Sequence, residues 1–139
     1  IQHVENAIAH YVTLRVRFSR PMGSSEAYEL LATEQRRTLG ELLRIAKKHE
    51  LFTQDLDADL EILRGDRNWL AHRFTAAPPG LMDPHYAATA SKRAGDITRR
   101  ALALQKALVL LIHDFTISQG VSPKLIEAET RKRAPWFPW

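Results

Sequence analysis

The chain has 139 residues, 45% hydrophobic and 26% charged, which suits one domain spanning residues 1–139 with a single core. It contains no cysteine, which excludes a disulfide framework, a thiolate metal site and a cysteine nucleophile, and fits a reducing cytosol. A formal net charge of +4 biases the surface mildly toward polyanions, and the most apolar run, ALALQKALVLLI at 101–112, is broken by Gln105 and Lys106. That run falls short of a bilayer span and no signal peptide is visible, so the expectation is a cytoplasmic protein without membrane contact.

Helical spacing runs through the whole chain. Val4, Ala7, Ile8, Tyr11 and Phe18 predict an amphipathic helix over 1–19, closed by Pro21 and Gly23. Ser24 is a candidate cap for a second helix reaching about Leu51, with Glu26 in its first turn and Tyr28, Leu31, Leu39, Leu42 and Ala46 inward. A third helix runs from near Gln54 to about Phe74, where the AAPPG turn at 76–80 stops it. Asp83 followed by Pro84 opens the longest helix, whose seam is Ala87, Ala90, Ala94, Ile97, Ala101, Leu104, Leu108, Leu111 and Phe115. Gly120 ends it, Ser122 and Pro123 start a short fifth helix, and a basic, aromatic tail, RKRAPWFPW at 131–139, closes the chain. No strand pattern competes. The prediction is an all-α fold, an antiparallel up-and-down four-helix bundle with a short C-terminal fifth helix.

Within the third helix, ILRGDRNWLAHRF at 62–74 sets an arginine among leucines. At about 100° per residue, Leu56, Leu60, Leu63, Leu70 and Phe74 form one stripe with Arg67 at its centre. Burying an unpaired guanidinium costs several kcal/mol, so Arg67 is either paired inside the bundle or faces an open cleft. Asn68 and His72 stand one turn apart, beside Glu61 and Gly65. A glycine inside a helix costs about 1 kcal/mol relative to alanine, which points to a close approach by another backbone or a ligand at Gly65.

Arg67, Asn68, three further residues and His72 resemble the R-x4-H signature of the HEPN superfamily of helical ribonucleases and nucleotide-binding domains. The predicted architecture resembles that family over most of the chain, with the motif late in the third helix. The resemblance implies a homodimer with the two third helices near the two-fold axis, two motifs facing across a cleft, and RNA cut with neither metal nor cofactor. It also implies a growth-inhibiting toxin or phage-defence effector, with an antitoxin or regulatory protein as a further partner. One position departs from the toxins neutralised by AMP transfer: the tyrosine that often follows two residues after the histidine is Phe74 here, which lacks the hydroxyl that this modification requires.

The chemistry supports the arrangement independently. Metal-free RNA cleavage needs a base for the 2′-hydroxyl, an acid for the leaving 5′-oxygen and positive charge on the phosphorane between them. A two-fold dimer supplies two histidines and two arginines around one phosphate. His72 is the candidate acid or base, since an imidazole ordinarily titrates near about pH 6.5. Arg67, always charged, can grip two phosphate oxygens. Asn68 either orients the imidazole or binds phosphate, and Arg64 and Arg73 flank the site as backbone contacts.

Against this stands a plainer expectation, in which Arg67 pairs with a carboxylate of its own bundle, Glu34 or Glu41 for example, and His72 is an ordinary surface histidine. A HEPN-like module that binds nucleotide or protein without cutting is the alternative function. Arg67 paired inside its own bundle counts against the nuclease; Arg67 and His72 facing symmetry mates across a groove count for it. The RGD tripeptide at 64–66 lies in a helix, unlike an exposed adhesion loop, and His113-Asp114 lacks the further ligands of a metal phosphohydrolase. The aromatic tail can stack bases or dock on the bundle.

Overall fold

A computed structural model describes residues 1–18, 20–75 and 83–133, apart from the side chains of 73–75 and 133. The predicted AAPPG turn and the end of the RKRAPWFPW tail lie outside these residues. The fold is all-α: α1 (Gln2–Val12), a π-helical turn (Thr13–Arg17), α2 (Ser24–Gln35), α3 (Leu39–Lys48), α4 (Gln54–Thr75), α5 (Pro84–Ser118) and α6 (Pro123–Arg133). α1 packs on α2, α3 and α5, and α4 packs on α3 and α5. The core gathers Val4, Ile8 and Val12 of α1, Leu39 and Leu42 of α3, Leu60 and Leu63 of α4, and Leu104 and Leu108 of α5. Tyr11 stacks on Phe52 and meets Phe115 edge-on, tying α1 to the α3–α4 connection and to α5.

The helix predicted from Ser24 to about Leu51 is two helices. Thr38 starts α3 with a capping box: its hydroxyl accepts from the Glu41 amide at 3.3 Å, and Glu41 Oε2 accepts from the Thr38 amide at 2.8 Å. α3 ends at Lys48, with Glu50 in the left-handed region (φ 50°) and the amide of buried Leu51 donating back to Ala46. α5 ends in the same way at Gly120 (φ 88°), with Val121 donating to Thr116. Ser24 is the first helical residue rather than a cap, because Gly23 occupies the cap position without a side-chain bond. Asp83 does cap α5, accepting from the His85 amide at 3.0 Å.

Thr38→Ala is expected to cost about 1 kcal/mol, read as a lower Tm. The Thr38 amide and hydroxyl, with Arg37 and Arg44 nearby, hold the Glu41 carboxyl below its ordinary pKa. Its stabilising contribution is therefore present above the unfolded carboxylate pKa and is lost as pH falls through the lower folded value. Glu41→Gln should remove that acid-side loss from a pH series of thermal melts.

Several predicted stripes are buried only in part. Tyr28, placed inward by spacing, is exposed, as is Phe18 beyond the π-helical turn. On α5 the seam is buried at Ile97, Ala101, Leu104 and Leu108, whereas Ala87 and Ala94 are exposed. The first turns of α5 thus run clear of the core. α5 also contains an 18-residue stretch of mean hydropathy 1.4, of which 17% is buried. By length and composition alone it is long and apolar enough to cross a membrane, contrary to the estimate from 101–112; core helices of globular proteins also meet this criterion.

Candidate active site

Three buried carboxylates organise the polar contacts between helices: Glu5 of α1, Glu34 of α2 and Asp66 of α4. Glu34 is gripped on both oxygens, by Arg17 Nε at 2.9 Å and Arg37 Nε at 2.7 Å. Glu41 is engaged at the α3 cap. Neither carboxylate expected from the sequence is the partner of Arg67. That partner is Glu5, whose Oε1 lies 2.6 Å from Arg67 Nε.

Arg67 is therefore paired with a carboxylate of its own chain, the arrangement set against a nuclease above. Pairing and access nevertheless coexist, because 44% of the Arg67 side chain is open to solvent while Glu5 is 10% exposed. Nor does Arg67 occupy the centre of a buried stripe. The neighbouring residue, Asp66, is the buried one. It accepts from Arg100 and has Arg93 at 3.8 Å, both on α5, and the Arg93 guanidinium stacks over Trp69 at 4.2 Å. A step of one residue turns the helix by about 100°, and the packing of α5 on α4 decides which of the two faces inward.

The remaining motif residues form an exposed row. Arg64, Asn68 and His72 recur every fourth position, and all are exposed, as is Gly65 beside them. Arg64 pairs along the helix with Glu61 at 2.6 Å. The side chains of Arg73 and Phe74 lie outside the described residues. Arg67 and His72 are about 140° apart around the helix axis. Two clefts along α5 do not include them: one of about 340 Å³ is lined by Ile1, Leu70, Ile97 and Leu102 among others, and one of about 530 Å³ by Phe52, Leu56, Leu104 and Leu110 among others.

No other part of this chain approaches Gly65 closely, since an added Cβ would meet nothing within 4 Å among the described residues. Gly65→Ala is accordingly expected to raise stability by about 0.5–1 kcal/mol in thermal unfolding. His113 Nδ1 and Asp114 Oδ1 lie 3.2 Å apart, and among the described residues no three His, Asp or Glu side chains gather as a metal site. Sequence reasoning did not single out Glu5, Asp66, Arg93 or Arg100. Glu5 had a weak signal, as an acidic residue on a helix face otherwise made of Val4, Ile8 and Val12.

No protein-family model, no curated protein and no solved structure matches this chain. The resemblance to HEPN domains rests on the chain's own residues.

Proposed function

We propose that the chain is a HEPN-like domain acting as a metal-independent endoribonuclease of the toxin or phage-defence type, working in the cytoplasm as a homodimer. In this reading α2 and α3 together form one member of an antiparallel four-helix bundle, and α4 lies near the two-fold axis. The supporting observation is the exposed face of α4: Arg64, Asn68 and His72 stand in one accessible row, with Arg67 part-open beside them. A second copy would bring two such rows together. It would supply an acid and a base from two His72 side chains and charge for the phosphorane from two Arg67 side chains. Arg64, Arg73 and Asn68 would then contact the RNA backbone.

The Glu5–Arg67 pair favours a second reading, a non-catalytic nucleotide-binding or protein-interaction module in which Arg67 serves the fold. Incubating the protein and its Arg67→Ala and His72→Ala variants with RNA in EDTA separates the two. The nuclease leaves 2′,3′-cyclic phosphate and 5′-hydroxyl ends and loses activity in both variants. Absence of cleavage, cleavage indifferent to His72, or a monomer at micromolar concentration by sedimentation decides for the module.

A further inference from the structure

We infer that Glu5 is a positioning residue of the proposed site, holding the Arg67 guanidinium in the orientation in which it meets a phosphate; the inference rests on the ribonuclease reading. The case begins with how differently the three buried carboxylates are satisfied. Glu34 has an arginine on each oxygen, and Asp66 has Arg100 on Oδ2 and Arg93 near Oδ1. Glu5 has one ion-pair partner among the described residues, Arg67, and its buried Oε1 has no aligned hydrogen bond although Arg67 Nε lies 2.6 Å away.

Glu34 is closed from both sides by two arginines, whereas Glu5 meets a single arginine through one edge of its guanidinium. The arrangement suits an arginine with two employers. A guanidinium carries five N–H donors, one on Nε and four on the terminal nitrogens. The ion pair places Glu5 at the Nε edge, which leaves the four N–H donors of the terminal nitrogens for a second, anionic ligand, and the Arg67 side chain remains part-open to solvent. Glu5 itself is anchored on α1, between Val4 and the core residue Ile8, so the reference point for the guanidinium is rigid.

The two possible roles of Glu5 have opposite signatures. As a mere neighbouring negative charge it opposes phosphate binding, so neutralising it tightens RNA binding and spares kcat. As a positioning residue it sets the geometry of a charge-stabilising group, for which misplacement by about 1 Å can cost about 100-fold in rate.

The test compares the intact chain with Glu5→Gln and Glu5→Asp in single-turnover RNA cleavage, with circular dichroism melts on the same samples. Expected for Glu5→Gln is a kcat lower by about 10- to 100-fold, with KM unchanged or lower and the folded fraction intact. Glu5→Asp, which keeps the charge one methylene short, should fall between it and the wild type. If Glu5→Gln fails to fold, a reduced kcat in folded Glu5→Asp supports the inference, and wild-type kcat there overturns it. A Glu5→Gln kcat within twofold of wild type, or a loss that merely follows the unfolded fraction, overturns it while leaving the ribonuclease intact. Absence of cleavage by the wild type removes both together.

Discussion

On the proposed ribonuclease reading, RNA cleavage in EDTA by the His72→Ala variant is expected to fall by about 10²- to 10⁴-fold, the usual worth of a positioned acid or base. In a homodimer the substitution removes both imidazoles at once, so a variant dimer retains neither proton donor nor acceptor. Mixing subunits makes the test sharper. If each scissile phosphate needs a His72 from each of the two chains, an equal, freely exchanging mixture of wild type and His72→Ala retains about a quarter of the wild-type rate, because that is the share of fully wild-type dimers. Retention of half would mean that each chain cuts alone, which the α4 geometry does not favour: Arg67 and His72 point about 140° apart on one helix. Arg67→Ala is expected to lose about 10²- to 10³-fold, and Arg67→Lys should restore little, because an ammonium cannot hold two phosphate oxygens in the guanidinium's fixed fork.

Arg100→Ala is expected to be strongly destabilising although Arg100 reaches the surface. Asp66 is buried, and removing Arg100 leaves it with Arg93 alone at 3.8 Å. Losing one partner of a fully buried ion pair costs about 3–5 kcal/mol. Arg100 is about a third exposed and Arg93 remains, so the expected loss is about 2–3 kcal/mol. For a chain of this size each kcal/mol lowers Tm by roughly 2–6 °C, so a thermal melt should fall by roughly 4–18 °C. A loss below about 1 kcal/mol would show that Asp66 is solvated in solution and not a strut between α4 and α5. RNA cleavage by the folded fraction should be retained, since Asp66 and Arg100 serve the packing of α4 on α5.

The aspartate of the RGD tripeptide therefore has a purpose that neither adhesion nor the R-x4-H pattern suggests. Spacing marked Arg67 as the intruder in a leucine stripe, yet the buried charge is at Asp66. A helical stripe read from leucines alone has a width of tens of degrees, and adjacent residues differ by about 100°. The choice between them comes from the arginines of α5, which lie far along the chain. The pairing of Glu5 with Arg67 was illegible for a related reason. Its partner is on another helix, and one sequence carries no record of which carboxylate faces which arginine. The α2–α3 break was more accessible, because Thr38 and Glu41 have the spacing of a capping box, but the apolar spacing from Tyr28 to Ala46 concealed it.

Local chemistry in the sequence was sufficient to determine the all-helical class, the span of α4, the Asp83–Pro84 start of α5 and the presence of α6. Each depends on caps, breakers and a 3.6-residue period that operate within one or two turns. Tertiary structure alone decided that α1 packs on α2, α3 and α5, that Asp66 and not Arg67 turns inward, and that Arg67 is held by Glu5 while still reaching solvent. Those outcomes depend on which helix faces which, and burial and ion pairing are set by neighbours in space whose separation along the chain leaves no periodic trace.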